Sequence, residues 1–116
     1  MNARNTLLGM ASAVEQFRRY QPDAPVSRVI VFLTVALKPG ITMREVEKGL
    51  KVSQTTMSRH VAILGTAGFR DPMTGKRERG WGLLEAMRDP EDYRQKRLWL
   101  RPKGRKLAKQ MAARLL

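Results

Sequence analysis

Apolar positions recur at helical spacing along most of the chain and predict about five helices. The first begins at Asn5 or Thr6 and runs to about Tyr20, where Gln21-Pro22 ends it. Its apolar stripe needs a partner, and the sequence leaves open whether this is the chain's own core or a second subunit. The stripe consists of Leu7, Met10, Ala11, Val14 and Phe17.

A second helix is predicted to begin at Asp23-Ala24-Pro25 and to stop at Lys38-Pro39-Gly40. Apolar residues surround it almost completely, and a helix of this kind belongs in the core rather than at a functional site. These residues are Val26, Val29, Ile30, Phe32, Leu33 and Ala36.

Residues 41–64 contain two short helices, each with its own start signal. Thr42 is placed to cap the first, with Glu45 three residues later to complete a capping box. Ser53 is placed to cap the second, which has no Glu three residues later. Only residues 49–52 lie between the helices, so the connection must be a sharp turn.

The second helix of this pair has an apolar side, formed by Met57, Val61 and Leu64, and an acid-free polar side. The polar side suits the floor of the DNA major groove, because Arg pairs with guanine, Gln with adenine, and Ser or Thr with either or with phosphate. We therefore predict a DNA-reading helix-turn-helix at about 42–64. An ordinary helical hairpin with a polar solvent face is the alternative. The predicted DNA-contacting residues are Gln54, Thr55, Thr56, Ser58 and Arg59.

Residues 65–80 hold four glycines and one proline and show little periodicity, which predicts a long loop. Lys76, Arg77 and Arg79 make this loop basic. One interpretation is a mobile arm that reaches a DNA backbone or minor groove. A solvated, partly disordered loop fits the same pattern equally well.

Two strands are predicted at Trp81 to Met87 and Gln95 to Leu100, joined by a charged turn from Arg88 to Arg94. Trp81 and Trp99 are interpreted as packing residues of this hairpin. Pro102 suits the first position of a last helix that runs to Leu116. Basic residues crowd the first half of that helix, where the helix dipole favours acids, and this indicates nearby phosphate.

The chain has 116 residues, which fits one domain of 1–116 with a modest core. Its formal net charge is +13, with sixteen basic and six acidic residues after position 50 against seven and four before it. The basic excess therefore lies downstream of the helix-turn-helix turn, as expected for a surface that faces a polyanion. Charge alone leaves ribosomal or membrane-surface binding open.

There are no cysteines and one histidine, which excludes disulfides, thiolate chemistry and a Cys/His zinc site. His60 is predicted to be structural or to contact phosphate. No residues match a nucleophile or phosphate-loop motif, so we predict no enzyme, no cofactor and no metal. No apolar run approaches the roughly 20 residues of a membrane span, and no signal peptide is recognisable. We expect a cytoplasmic protein.

This order of elements is that of a winged helix-turn-helix, mostly α with a small β-hairpin, with the wing at about 81–100 and the last helix at 102–116. Asp92-Tyr93-Arg94, five further residues and then Leu100-Arg101-Pro102-Lys103-Gly104 resemble the wing signature of the MarR (multiple antibiotic resistance regulator) family, Asp-x-Arg-x5-Leu-Thr-x-x-Gly. Asp89-Pro90-Glu91-Asp92 is also similar to that family. So is Leu50-Lys51-Val52-Ser53 before a helix with Thr56 and Arg59.

The resemblance implies a homodimeric transcription regulator that binds double-stranded DNA in a sequence-specific manner. In its most specific form it implies a repressor, from a prokaryote, a phage or a plasmid. By position, Arg94 is the wing arginine that enters the minor groove, and Asp92 would orient it. A narrow A·T-rich minor groove attracts such an Arg independently of any family. A surface ion pair on a turn is the alternative for these two residues. Arg97 and Lys103 are expected to hold phosphates.

Several positions depart from the family pattern. Arg101 stands where the family has Thr, and the missing N-cap typically costs ~1 kcal/mol. Lys51 occupies a turn position often held by Gly, and Glu47 replaces a common small residue. Members commonly continue into a further helix beyond the position of Leu116. We therefore expect dimerisation through the N- and C-terminal helices, and a small-molecule effector has no support.

Two other classes of function stay open. A non-regulatory DNA-binding module, such as a replication initiator, excision factor or nucleoid-type protein, shares the fold and the charge. A winged helix can also serve as a protein or RNA interaction module. The basic second half of the chain and the wing residues Asp92 and Arg94 argue against this last class.

Overall fold

The computed structural model describes residues 2–115 and shows five α-helices and four β-strands within them. This confirms the prediction of a mostly α fold with a two-stranded hairpin. In chain order the elements are α1 (Ala3–Arg18), α2 (Val26–Leu37), α3 (Met43–Leu50), α4 (Gln54–Leu64), β1 (Phe69–Arg70), β2 (Arg77–Glu78), β3 (Leu84–Asp89), β4 (Asp92–Leu100) and α5 (Pro102–Ala113).

The two predicted helix caps of the helix-turn-helix are present. The Glu45 N–H donates to Thr42 Oγ1 at 3.1 Å, and the Thr42 hydroxyl donates to Glu45 Oε1 at 3.1 Å. The Thr56 N–H donates to Ser53 Oγ at 3.1 Å. Between α3 and α4, Lys51 has a φ of +56°. This left-handed conformation costs a residue other than glycine roughly 1–2 kcal/mol, which explains why glycine is common at such a turn.

The core is formed mainly by α2, α4 and the residues that enter the hairpin. Met57 and Leu64 of α4 are fully buried, as the predicted apolar side requires, and Val61 is half-buried. The expectation that α2 lies wholly in the core is wrong, because Val26 and Leu37 are 73% and 86% exposed. The largest fully buried side chains are Phe17, Phe32, Met57, Leu64, Leu83, Leu84, Leu98, Val31, Val35 and Val46.

The apolar stripe predicted for α1 divides between core and surface. Phe17 is fully buried, whereas Leu7, Met10 and Val14 are 63%, 51% and 43% exposed. The helix also begins earlier than predicted, since Asn2 accepts the Asn5 N–H as its cap. It packs closely on the end of α5, where a Cβ added at Gly9 would collide with the Arg114 carbonyl.

The hairpin strands differ in their bounds from the prediction. Pairing runs from Leu84↔Leu100 to Arg88↔Lys96, and only Pro90 and Glu91 lie between the strands, so most of the predicted 88–94 turn is strand. Residues 81–83 do not pair with β4. Instead, the Trp81 and Leu83 N–H groups donate to the carbonyls of Ile63 and Leu64 at the end of α4.

The 65–80 segment contains a short antiparallel ribbon, so the prediction of a plain loop is wrong. Phe69 pairs with Glu78 and Arg70 with Arg77. The turn is held by Asp71 Oδ1, which accepts the Met73 N–H at 2.8 Å. Strands of two residues are too short to produce a visible alternation in the sequence.

The helix-turn-helix is attached to the wing by backbone pairing along the free edge of β4. The Gly40 N–H donates to the Leu98 carbonyl at 2.8 Å, and the Leu98 N–H donates to the Ile41 carbonyl at 2.9 Å. The Trp99 ring covers Gly40, where an added Cβ would lie 2.8 Å from Trp99 Cη2. Gly40 also has a φ of +87°, so glycine is required here for two separate reasons.

The N-cap of α5 offers a test of local stability. Arg101 has extended backbone angles suited to a cap but makes no capping hydrogen bond. We expect Arg101→Ser to raise the free energy of unfolding by ~1 kcal/mol relative to Arg101→Ala, because the serine hydroxyl can accept an orphan N–H of the first turn. Both variants lose the exposed Arg101–Glu85 pair at 3.6 Å, so the comparison isolates the cap. Equal midpoints in urea unfolding would contradict this.

Candidate nucleic-acid interface

A groove of about 490 Å³ lies between α3, the first half of α4 and the wing. We call it the α3–wing groove. Four of its lining side chains are basic and two are acidic, and the others are mostly uncharged polar groups. The lining residues are Met43, Arg44, Glu47, Gln54, Ser58, Arg88, Asp92, Arg94, Gln95 and Lys96.

The predicted α4 residues do not all face this groove. Gln54 and Ser58 are one helical turn apart and line it. Thr55 and Arg59 are exposed on the neighbouring side of the helix, and Arg59 borders a second cavity. Thr56 is half-buried, and its hydroxyl accepts from Ser53 at 3.0 Å, so it belongs to the helix cap.

The wing residues Asp92 and Arg94 both line the groove and contact each other. Asp92 Oδ1 accepts from the Arg94 N–H at 3.1 Å and from Arg94 Nε at 3.2 Å. These hydrogen bonds, the backbone one first, lower the pKa of Asp92 and so keep its carboxylate ionised. The Arg94 side chain is 91% exposed. The Arg94 side chain is thus oriented by Asp92 through its Nε, while its terminal nitrogens remain accessible to a partner.

Three basic residues of the groove were missed by the sequence reasoning, namely Arg44, Arg88 and Lys96. Arg88 is the cross-strand neighbour of Lys96, and its Nη1 donates to the Tyr93 carbonyl at 2.7 Å across the hairpin. Lys96 lies two residues after Arg94, and alternation would have placed both on one face if the second strand had been predicted to begin before Arg94, as it does in the structure. Arg88 could not be identified that way, because it was assigned to a turn.

Arg97 and Lys103 lie outside the α3–wing groove and have partners within the protein. Arg97 Nε contacts Asp89 Oδ2 at 3.1 Å, and its Nη1 donates to the Gly40 carbonyl at 2.8 Å. Lys103 Nζ donates to the Trp81 carbonyl at 2.9 Å. It also lies 5.1 Å from the centre of a tyrosine ring, that of Tyr20. Both side chains therefore tie elements of the fold together.

The basic residues of the β1–β2 ribbon are exposed and also lie outside the groove. Arg77 Nη2 donates to the Ala67 carbonyl at 3.3 Å, while Lys76 sits at the ribbon turn. Arg79 follows β2 and borders the second cavity with Arg59. The ribbon thus presents positive charge beside α4, on a surface separate from the groove.

His60 holds α4 against α2. It is 3% exposed, its Nδ1 accepts from Arg28 Nε at 3.2 Å, and its Nε2 lies 2.9 Å from Ser27 Oγ. Because Nδ1 accepts, the proton must be on Nε2, which donates to the Ser27 hydroxyl. Burial first, then the charges of Arg28 and Arg59, lower the pKa of His60 to about 4. The structural interpretation of His60 is confirmed, and phosphate contact is wrong.

Residues 2–115 contain no group of three His, Cys, Asp or Glu side chains close enough to hold a metal ion. No helix among those residues has both the length and the apolar character needed to cross a membrane.

Solved structures with the same arrangement of helices and wing are regulators. The transcriptional regulator Tm0710 from Thermotoga maritima has a TM-score of 0.67 with 17% identity, covering 97% of this chain and 65% of its own. A mutant MarR from E. coli complexed with operator DNA has a TM-score of 0.61 with 17% identity, covering 95% and 64%. The fold is that of the MarR family.

The likeness to MarR-family structures is one of fold at low identity. The PcaV transcriptional regulator from Streptomyces coelicolor, in complex with its natural ligand, has a TM-score of 0.59 with 22% identity over 80% of this chain. The chain spans 56% of the length of PcaV. No protein-family model and no curated protein matches the sequence.

The pKa of His60 predicts how stability depends on pH. Below about pH 6.5 the imidazole of His60 is protonated in the unfolded chain. In the folded protein it stays neutral down to about pH 4. The free energy of unfolding should therefore fall with decreasing pH in this window, by about 1 kcal/mol between pH 7 and pH 5.5. Urea unfolding at the two pH values measures this. The His60→Gln variant lacks the titrating group, and an equal fall in that variant would rule out His60 as the cause.

Proposed function

We propose that the protein is a sequence-specific regulator of transcription that binds double-stranded DNA, acting as a repressor on a pseudo-palindromic site. The observation that supports this proposal most strongly is the α3–wing groove. In it, Gln54 and Ser58 of α4 face the wing arginine Arg94 across a basic surface. The solved structure of the mutant MarR complexed with operator DNA supports the same class of partner for this fold.

In this proposal α4 enters the major groove with its N-terminal half. Gln54 and Ser58 offer an amide and a hydroxyl to base edges, and Thr55 and Arg59 extend the contact around the helix. Thr56 supports them through the cap. Arg94 enters the adjacent minor groove, where Asp92 holds the guanidinium extended before DNA arrives, so that little side-chain entropy is lost on binding.

Phosphate contacts are assigned to basic residues on both sides of α4. Arg44, Arg88 and Lys96 line the α3–wing groove, while Lys76, Arg77 and Arg79 would meet the backbone from the ribbon side. Arg97 and Lys103 act indirectly, by fixing the wing and α5, because their side chains already have internal partners. Each direct phosphate contact adds about one to the salt dependence of binding.

The minor-groove role of Arg94 can be tested on duplexes selected from a random pool. Replacing a flanking A·T run with G·C should weaken the wild type by about 1–3 kcal/mol, because the wider groove attracts arginine less. Arg94→Ala should lose most of that discrimination and lower the salt slope by about one. Fluorescence polarisation at two salt concentrations measures both quantities.

Arg4→Ala is the matched control for Arg94→Ala, since Arg4 is an exposed arginine on α1 outside the groove. Equal discrimination by Arg94→Ala and the wild type would remove Arg94 from the interface. Tight, salt-sensitive binding to duplex RNA alone would contradict the proposal as a whole. Footprints at a replication origin or attachment site, rather than beside a promoter, would favour a non-regulatory DNA-binding module.

We also propose that the protein works as a homodimer in which α1 supplies much of the contact. Leu7, Met10 and Val14 follow at spacings of three and four residues and remain exposed in one copy of the chain. A twofold dimer would bury this stripe against its equal and place two α4 helices on two half-sites.

Met10→Glu tests the dimer, because it inserts a charge into the stripe at a position that is exposed in the single chain. We expect a mass near that of one 13.2 kDa chain in light scattering, together with weaker binding to a two-half-site duplex. Asn5→Glu puts the same side chain on another exposed face of α1 and should stay dimeric. A wild type that is monomeric at micromolar concentration would contradict the dimer.

A further inference from the structure

A second cavity, of about 670 Å³, lies between the α1–α2 connection, α4 and the β1–β2 ribbon. We call it the ribbon cavity. It shares no lining residue with the α3–wing groove. Guanidinium groups and aromatic rings both contribute to its walls, including Tyr20, Arg28, Arg59, Phe69, Arg79 and Trp81.

Arg28 is a buried cation in the wall of the ribbon cavity. It is 4% exposed, and none of the five ion pairs within residues 2–115 includes it. Its Nε donates to His60, and its Nη1 donates to Gln21 Oε1. Burial, and secondly the nearby charge of Arg59, lower the pKa of Arg28. Both causes make the charged form less favourable, so an anion close to Arg28 would be stabilising.

The second terminal nitrogen of Arg28 faces the ribbon cavity. Nη2 makes none of the hydrogen bonds found among residues 2–115. Among those residues, however, every side-chain nitrogen or oxygen that is buried from solvent has a hydrogen-bond partner. Nη2 must therefore retain accessible surface, and the open space that Arg28 borders is this cavity. A nearly buried guanidinium thus borders a cavity that is open to solvent.

Arg59 and Arg79 border the same space without ion pairs among the described residues. Asp23, Asp71 and Glu78 also line the cavity, but none of them pairs with an arginine there, and Asp71 accepts the Met73 N–H of the ribbon turn. Four arginines therefore border one cavity, the fourth being Arg70, whose Nη1 donates to the Gly75 carbonyl at 2.7 Å, and none of the four forms an ion pair among the described residues. That arrangement is typical of a site for an oxyanion.

We propose that the ribbon cavity binds a small organic phosphate that carries a flat ring, the chemistry of a nucleoside monophosphate. A phosphate offers three terminal oxygens to the arginines that border this cavity, whereas a carboxylate offers two. Phe69 supplies aromatic surface for the ring, whereas Tyr20 and Trp81 border the cavity stacked on each other, with ring centres 5.5 Å apart. The cavity volume lies within the range of small-molecule sites, about 300–1,000 Å³.

The test is calorimetric titration of the full chain, without DNA, with adenosine monophosphate. We expect saturable binding that is at least about tenfold tighter than that of inorganic phosphate, adenosine or benzoate, because each lacks either the ring or the phosphate. Since no DNA is present, the result is independent of the proposed regulatory function. Failure to saturate with adenosine monophosphate, or equal affinity for any of the other three probes, would overturn the proposal.

Variants test whether adenosine monophosphate binds in the ribbon cavity. Arg28→Gln and Arg79→Gln should each weaken adenosine monophosphate binding by about tenfold, the value of one charge-assisted hydrogen bond. Arg79 is exposed, so its variant tests the site even if the Arg28 variant does not fold. Arg77→Gln removes the same charge from the same ribbon outside the cavity and should bind as the wild type does. Unchanged affinity in Arg79→Gln would overturn the assignment.

Discussion

The pairing of residues 40–42 with β4 is the interaction on which the rest of the interface depends. It joins the segment that starts α3 to the strand that carries Asp92 and Arg94, through two backbone hydrogen bonds at Leu98. The Arg97 guanidinium reinforces the joint, because it links Asp89 of the wing to the Gly40 carbonyl. Without this joint, the α3–wing groove would have no fixed width, and the distance between α4 and the wing would not be constant.

Several residues of this protein sit in places that do not favour its own stability. Lys51 takes a left-handed conformation, Arg101 leaves the first turn of α5 uncapped, and Arg28 is buried beside another cation. Each is a basic residue, and each belongs to or adjoins the helix-turn-helix, the wing or the ribbon cavity. At each of these positions local packing or backbone geometry would favour a different residue, as expected when function competes with stability.

The sequence was sufficient for the helices, the two caps of the helix-turn-helix and the contact between Asp92 and Arg94, because these depend on local spacing. It was insufficient where tertiary contacts decide. Alternation alone assigns residues 81–83 to a strand, whereas in the structure their N–H groups hydrogen-bond to the end of α4. Arg97 and Lys103 look like free surface charges in the sequence, and only the fold shows that backbone carbonyls accept from them. The ribbon and its cavity likewise arise from contacts between distant segments.

The two tryptophans of the chain lie in different parts of the fold. Trp81 is stacked against Tyr20 with ring centres 5.5 Å apart and borders the ribbon cavity, whereas Trp99 lies on the wing over Gly40 and is 38% exposed. Their surroundings differ in polarity and in access to solvent, so their emission should differ in wavelength and in quenching by a small solute such as iodide. The protein therefore carries one intrinsic optical reporter at the ribbon cavity and another where the wing covers Gly40, and no label is needed to observe them separately.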